Sequence, residues 1–222
     1  MLLDAFGTLV AMEAPGPLLS SELLRLAGLE VTEEQAATAF RAEIDYYREH
    51  HLEGRDPESL ERLRDRCAAV IAEVLPAPTV DLEAVREAML RSIRFDAYPE
   101  VPAALEELRG RGVRLVVASN WDCSLPEVLE RVGLGRLLDA VVSSAEAGAA
   151  KPDRGLFEAA LAAAGCEPEE AVHVGDDPDV DVAGARAAGV RAVLLARGGD
   201  ASRGVDAIRG LDELAPLIFR RP

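Results

Sequence analysis

The sequence predicts an α/β fold, a doubly wound parallel sheet into which an all-helical segment is inserted. Two observations carry this prediction. In the second half of the chain, short valine-rich runs alternate with amphipathic stretches, as strands alternate with crossover helices in a parallel sheet. Residues 15–97 contain no such run, and they are far more than one crossover connection requires.

The opening "LLDAF" and four later runs supply the predicted strands. Only Leu2 and Leu3 lie between Met1 and Asp4, a short run for a core strand, which leaves room for residues upstream of Met1 in the natural chain. Apolar residues repeat at helical spacing in 99–109 and 154–164, which predicts the crossover helices. The four later runs are "VRLVVAS" (113–119), "LDAVVSS" (138–144), "AVHVGDD" (171–177) and "VRAVLLA" (190–196).

The inserted segment is predicted to form four helices. Entry signals of a capping Thr or Asp followed by acidic residues stand in "TEEQ", "DPESLE" and "VDLEAVRE". Pro15, Pro17 and Pro99 mark the two connections. The predicted helices are 18–27, 32–52, 57–75 and 82–95, which divides the chain into a core of residues 1–14 and 98–222 and an insert of residues 15–97.

Composition excludes several classes of partner. The chain of 222 residues carries 24 Lys and Arg against 40 Asp and Glu, a formal charge of -16, which disfavours nucleic acid and anionic membrane surfaces. Its three cysteines form no C-x-x-C pair and fit neither a disulfide framework nor a zinc site. No apolar stretch approaches the ~20 residues that span a bilayer. We therefore expect a soluble cytoplasmic protein, monomeric or homodimeric, with no nucleic-acid or membrane partner.

Polar residues gather where the predicted strands end. Ligands of an open parallel sheet bind beyond the carboxyl ends of its strands, so these side chains are the first candidates for a site. Several carboxylates at one edge would repel one another, and a hard divalent cation such as Mg²⁺ would neutralise them. The candidates are Asp4 after the first strand, Ser119 and Asn120 after the second, Lys151 in the loop following the third, and Asp176, Asp177 and Asp181 after the fourth.

Each candidate alone has a plainer explanation. A strand-end Asp such as Asp4 often only forms a turn or caps a helix, Ser119 could merely start a helix, and Lys151 could be a solvated surface lysine. Their joint occurrence, in this order along the chain, favours a common site.

These residues carry a resemblance to the haloacid dehalogenase (HAD) superfamily, of the kind with a Rossmann-like core and a helical cap inserted after the first motif. "DAFGTL" resembles the motif whose leading Asp is the covalent nucleophile, which implies that role for Asp4. "VVASN" resembles the motif whose hydroxyl binds the transferred anionic group, here Ser119. "AAKPDRGLF" resembles the motif whose lysine steadies nucleophile and phosphoryl charge, here Lys151. "HVGDDPDVDVAGARAAG" resembles the G-D-x4-D motif that holds Mg²⁺, here through Asp176 and Asp181.

The resemblance also implies further contacts. In metal-dependent members the residue two after the nucleophile binds Mg²⁺ through its backbone carbonyl, here Phe6, so the implied metal ligands are Asp4, Phe6, Asp176 and Asp181. We expect Ser119, Asn120, Trp121 and Lys151 to bind the substrate, with simple packing an equal alternative for Trp121. His173 lies inside a strand run and is interpreted as a core histidine.

Phe6 departs from the pattern of most phosphatases in the superfamily. They carry a second Asp there, which protonates the leaving oxygen, and a phenyl ring cannot donate a proton. The 2-haloacid dehalogenases carry an aromatic residue at this place and need no acid, but they lack the G-D-x4-D acids that this chain keeps. The sequence therefore favours a Mg²⁺-dependent phosphatase of a small anionic substrate.

Two alternatives stay open, a 2-haloacid dehalogenase and a non-catalytic binding or regulatory protein with the same fold. In the insert, Tyr46 and His50 share a helix face. That face is either a substrate-facing patch or an ordinary packed surface.

Overall fold

The computed structural model describes residues 1–77, 79–198 and 206–219. The chain divides into two compact units. One consists of Met1–Ala11 and Ala97–Pro222, and the other of Met12–Asp96. The insert predicted from the sequence, residues 15–97, corresponds to this second unit.

A six-stranded parallel sheet forms the centre of the first unit, which confirms the predicted fold class. The strands lie in the order β5-β4-β1-β6-β7-β8. The order reverses at β1, and in open α/β sheets the ligand crevice lies at such a reversal. The strands are β1 (Leu2–Leu3), β4 (Val116–Ser119), β5 (Ala140–Ser143), β6 (Val172–Gly175), β7 (Arg191–Leu195) and β8 (Asp206–Ile208).

β1 pairs with strands made more than a hundred residues later. Leu3 lies in register with Val117 of β4 and with Val174 of β6. Asp4 follows directly, and its N–H donates to the carbonyl of Val174 at 2.9 Å. Asp4, the predicted nucleophile, thereby lies in the middle of the sheet.

Helices surround this sheet, and the apolar stripe predicted in residues 154–164 is buried as expected. Leu156, Phe157, Ala160 and Leu161 of α8 pack with Val116 in one apolar cluster, so burial of the stripe fixes the helix against the strands. The helices of this unit are α5 (Val101–Gly110), α6 (Leu125–Arg131), α7 (Ser144–Ala147), α8 (Arg154–Ala164), α9 (Ala183–Ala187) and α10 (Leu214–Ile218).

Four helices make up most of the second unit. They are α1 (Pro15–Ala27), α2 (Glu33–His50), α3 (Pro57–Val74) and α4 (Leu82–Ser92). The predicted caps are confirmed: Thr32 and Asp56 each accept a bond from the backbone N–H three residues later, and Asp81 accepts one from Glu83. These bonds satisfy donors that a helix start leaves unpaired.

The prediction of a helix as far as Phe95 was wrong. α4 ends at Ser92, and Phe95–Ala97 forms strand β3, which pairs with β2 (Val10–Met12) in a two-stranded sheet. Ile93 already has extended backbone angles. Pairing with a segment some eighty residues away overrides the local helical pattern here.

No helix in the described parts of the chain is long and apolar enough to cross a membrane.

Candidate active site

Asp4 is the centre of a buried charged cluster at the carboxyl edge of the sheet. Its side chain is almost fully buried, and its Oδ1 accepts bonds from Ser119 Oγ at 2.9 Å and from Lys151 Nζ at 2.5 Å. Burial raises the pKa of Asp4, as does the charge of Asp181, and the two bonds counteract only part of this rise. The structure thus brings together the predicted nucleophile, hydroxyl and lysine.

Lys151 joins two carboxylates. Its buried Nζ also donates to Asp181 Oδ1, at 2.6 Å. Burial opposes the charged ammonium, but the charges of Asp4 and Asp181 outweigh burial and raise its pKa, so the lysine is charged at neutral pH.

Asn120 fixes the backbone of Lys151. Its Nδ2 donates to the carbonyl of Lys151 at 2.9 Å, and its Oδ1 accepts from the N–H of Lys151 at 2.7 Å. Both ends of the amide are therefore engaged in positioning the lysine. A contact of Asn120 with substrate stays a prediction.

Asp181 is held from three sides. Lys151 and the ring Nε2 of His173 approach its Oδ1, His173 at 2.9 Å, and the N–H of Asp177 donates to its Oδ2 at 3.1 Å. Burial disfavours its charge, but Lys151 and His173 outweigh burial and lower the pKa of Asp181 well below its ordinary value. The carboxylate is therefore ionised and fixed in orientation.

Asp176 lies at the exposed side of the same cluster. Partial burial and the charges of Asp4 and Asp181 raise its pKa to about 6. Each of these three aspartates offers one oxygen, and the three oxygens lie within 4.8 Å of one another. An all-oxygen set of this spacing fits a hard divalent cation such as Mg²⁺, so the residues present fit the metal that the sequence implies.

Two glycines permit this close arrangement. A Cβ on Gly7, whose φ is +79°, would lie 2.2 Å from Asp176 Oδ2. A Cβ on Gly175 would lie 2.1 Å from Asp181 Cγ. Because real side chains do not approach so closely, both positions require glycine for the carboxylates to stay in place.

Phe6 stands in the turn that follows Asp4. Its residue surface is 44% exposed, a large value for an aromatic residue. The N–H of Gly7 donates to the carbonyl of Val10 at 2.9 Å, which fixes the peptide that carries the Phe6 carbonyl. Binding of a metal by this carbonyl stays a prediction.

Trp121 is buried and sits in the loop after β4. The backbone N–H of Trp121 donates to Ser144 Oγ at 3.0 Å, and Ser144 Oγ donates to the backbone carbonyl of Trp121 at 3.2 Å. Its predicted contact with substrate remains open.

In the helical unit, the side chains of Tyr46 and His50 form hydrogen bonds with other residues of the same unit. Arg66 Nε donates to Tyr46 Oη at 2.9 Å, His50 Nδ1 lies 2.8 Å from Glu53, and the rings of Tyr46 and His50 lie 4.2 Å apart.

Sequence reasoning missed two residues of the site region. His173 is buried as expected of a core histidine, but it also contacts Asp181. Arg197 was not identified, although it donates to the carbonyls of Gly7 and Thr8 in the turn after Asp4. It follows directly after the predicted run 190–196, and the strand-end rule that found Asp4 would have pointed to it.

One protein family has a sequence model that matches most of the chain. The family is described as haloacid dehalogenase-like hydrolase, and the match covers residues 1–189.

A curated relative and two solved structures illustrate the similarity. A phosphoserine phosphatase of Thermus thermophilus is 48% identical over 106 residues, which cover 47% of this chain and 43% of that protein. The match thus spans less than half of the relative. A HAD phosphatase from Thermococcus onnurineus is 25% identical, with a TM-score of 0.67 over 98% of this chain and 96% of that one. An L-2-haloacid dehalogenase from Xanthobacter autotrophicus is 19% identical, with a TM-score of 0.70 over 98% and 96%, and shares the fold.

Proposed function

Because the chain belongs to the haloacid dehalogenase-like hydrolase family, we propose that it is a Mg²⁺-dependent phosphatase of a small phosphorylated metabolite. Asp4 is the nucleophile. The observation that carries the proposal is the contact of the Lys151 ammonium with both Asp4 and Asp181, beside three carboxylate oxygens within 4.8 Å of one another. The phosphatases among its relatives support the same reaction class.

Two displacements complete the reaction. Asp4 Oδ attacks the phosphorus, the bond from phosphorus to the leaving oxygen breaks, and that oxygen departs with the electron pair. Water then attacks the phosphorus of the aspartyl phosphate, and the bond from phosphorus to Asp4 Oδ breaks. Inorganic phosphate and solvent take up the protons of the water, and the Asp4 carboxylate is restored. Splitting the hydrolysis in this way replaces one difficult step by two easier ones.

The site residues prepare these steps by charge and orientation. Lys151 offsets negative charge on Asp4 and on the transferring group, and Ser119 offers a hydroxyl hydrogen bond. Asp4, Asp176 and Asp181, with the Phe6 carbonyl, would hold Mg²⁺. Bound there, the ion would supply positive charge that offsets the negative charge of the phosphoryl group. Asn120 and His173 keep the lysine and Asp181 in place.

Phe6 restricts which substrates react well. It has no proton for a leaving alkoxide, and general-acid assistance typically contributes ~10²- to 10⁴-fold in rate. Acyl and aryl phosphates need little such assistance. We therefore expect acetyl phosphate and p-nitrophenyl phosphate to be better substrates than alkyl phosphates.

The test is a phosphatase assay with these two compounds in Mg²⁺ and in EDTA. We expect turnover that EDTA abolishes and added Mg²⁺ restores, and a loss of at least ~10³-fold in Asp4→Asn, which removes the nucleophile. Asp179→Asn, an exposed change in the same acidic segment, is the matched control and should retain activity.

Phe6 also supports a second candidate, a 2-haloacid dehalogenase, in which Asp4 displaces halide from carbon. Halide release from 2-chloropropionate that EDTA leaves unchanged, without phosphatase turnover, would favour it. A folded protein that binds Mg²⁺ but turns over neither class would instead favour a non-catalytic binding protein.

A further inference from the structure

Arg197 makes four contacts, two of them with the turn that follows Asp4, and has no part in the reaction described above. Its Nε donates to the carbonyl of Gly7 at 3.1 Å, and its Nη2 donates to that of Thr8 at 2.8 Å. Its Nη1 lies 2.5 Å from Glu100, and its Cζ lies 3.5 Å from the centre of the Tyr98 ring. The side chain is 22% exposed. Charge-assisted bonds and stacking of this kind hold a guanidinium firmly.

Together with backbone bonds to Ala5, the contacts of Arg197 hold two consecutive peptide groups. In the Gly7–Thr8 peptide, the N–H donates to the carbonyl of Ala5 and the carbonyl accepts from Arg197. In the Thr8–Leu9 peptide, the N–H also donates to the carbonyl of Ala5, and the carbonyl also accepts from Arg197. A peptide group is planar, so a bond at each side fixes its rotation. The turn after Asp4 is therefore held through its N–H groups by the carbonyl of Ala5 and through its carbonyls by Arg197.

The position of this turn matters for the site because it lies between two functional carboxylates. Asp4 precedes it, and Gly7 approaches Asp176 so closely that a Cβ would lie 2.2 Å from its Oδ2. We propose that Arg197 is a positioning residue for the phosphatase reaction: it fixes the Gly7–Thr8 turn and thereby sets Asp4 and Asp176 for phosphoryl transfer.

Direct substrate binding by Arg197 fits these contacts poorly. All three of its nitrogens already donate to the protein, and one face of the guanidinium lies on Tyr98. Arginine that binds a phosphate usually offers two free parallel donors. Arg197 acts through the turn, not on the phosphoryl group.

Arg197→Gln tests the proposal, with two measurements on the whole protein. The kinetic measurement rests on the proposed phosphatase activity: with p-nitrophenyl phosphate and Mg²⁺ we expect kcat to fall by about 10- to 100-fold and KM to change by less than about threefold, because a shift of about 1 Å at the reacting groups suffices for such a loss. The second measurement is hydrogen exchange of the metal-free protein. The amides of residues 7–10 should exchange at least about tenfold faster than in the wild type, while the amides of the six-stranded sheet keep their protection.

Arg191→Gln is the matched control. Arg191 begins the strand that Arg197 follows, and it pairs with Asp206 on the surface. This variant removes the same charge and should match the wild type in both measurements. Arg197→Lys keeps the charge without the planar fork, and we expect a kcat between those of the wild type and Arg197→Gln.

Three results would overturn the proposal: unchanged kcat and unchanged exchange in folded Arg197→Gln, a rise of KM alone, or exchange accelerated evenly over the whole sheet, which would indicate a general stabilising role. If the wild type shows no phosphatase turnover, the proposed function fails, and local exchange at residues 7–10 still decides whether Arg197 holds the turn.

Discussion

Glu43, in the helical unit, is a carboxylic acid that is buried. It lies on α2, is 5% exposed, and hydrogen-bonds to Cys67. Burial raises the pKa of this carboxyl to about 7, and the bond from Cys67 offsets only part of the rise. Below pH 4.5 it is neutral whether the protein is folded or unfolded. As the pH rises from 4.5 to 7 the unfolded chain releases the proton more readily, so the folded state loses stability.

We predict that Glu43→Gln stabilises the protein above pH 7. The neutral amide has nearly the same shape and carries no charge to bury. The free energy of unfolding at pH 8 should rise by about 1 to 3 kcal/mol, since one unit of pKa corresponds to about 1.4 kcal/mol, and should change little at pH 4.5. Urea unfolding at both pH values measures the difference.

Glu49→Gln is the control, because Glu49 is an exposed carboxylate on the same helix. It should show no difference between the two pH values beyond about 0.5 kcal/mol. Equal destabilisation by Glu43→Gln at both values would contradict the prediction and point to an unpaired buried amide.

Strand β6 ends in Gly175, a glycine on which the proposed metal site depends. Asp181 cannot easily move aside for a Cβ on Gly175, because Lys151, His173 and the N–H of Asp177 hold its two oxygens. We predict that Gly175→Ala weakens Mg²⁺ binding at least ~10-fold and lowers the free energy of unfolding by about 1 to 3 kcal/mol. Calorimetric titration and thermal unfolding measure the two effects.

Gly110→Ala is the matched control. Gly110 ends helix α5, and an added Cβ there would meet nothing within 4 Å. It should leave Mg²⁺ binding unchanged and be neutral or slightly stabilising, by up to about 1 kcal/mol. Wild-type binding in Gly175→Ala would show that Asp181 does not ligate the metal from this position.

The elements that the sequence predicts well are those whose burial alone determines them. Strands β4, β6 and β7 are largely buried, β5 is partly buried, and the stripe of α8 is unambiguous. β2, β3 and β8 have three residues each. β2 and β3 pair with each other across some eighty residues of chain, and β8 pairs with the edge of β7. A local pattern does not contain that information.

The candidate site divides in the same way. Asp4, Ser119, Lys151 and Asp181 could be found because each follows a recognisable strand or motif and the strand ends meet at one edge. The contacts of His173 and Arg197 depend on which side chains pack beside them across more than one strand. The strand-end rule points to Arg197 as a candidate, but spacing along the chain does not reveal the partners of either side chain, so both roles follow only from the three-dimensional contacts.

At the scale of the whole molecule, the excess of negative charge should govern the response to salt. The formal charge is -16 and the isoelectric point about 4.6. Screening weakens this self-repulsion, and it also weakens surface ion pairs such as Arg62–Glu58, each of which contributes only about 0 to 1 kcal/mol.

We predict that raising NaCl from about 10 to about 200 mM, which shortens the screening length from about 30 Å to below 10 Å, raises the unfolding temperature at pH 8. At pH 4.6 the net charge vanishes, and the increase should disappear. A lower unfolding temperature in salt at pH 8 would mean that the surface pairs, not the net charge, dominate the electrostatics.

The place of β1 between β4 and β6 has a consequence for synthesis on the ribosome. Leu2 and Leu3 leave the exit tunnel well before their neighbours Val116 and His173, which are translated more than a hundred residues later. At about 5 to 20 residues per second, the first strand waits for several seconds with no partner to bond. The helical insert emerges during that interval and can fold from local contacts, whereas the candidate site cannot form until residues 151–181 have been made.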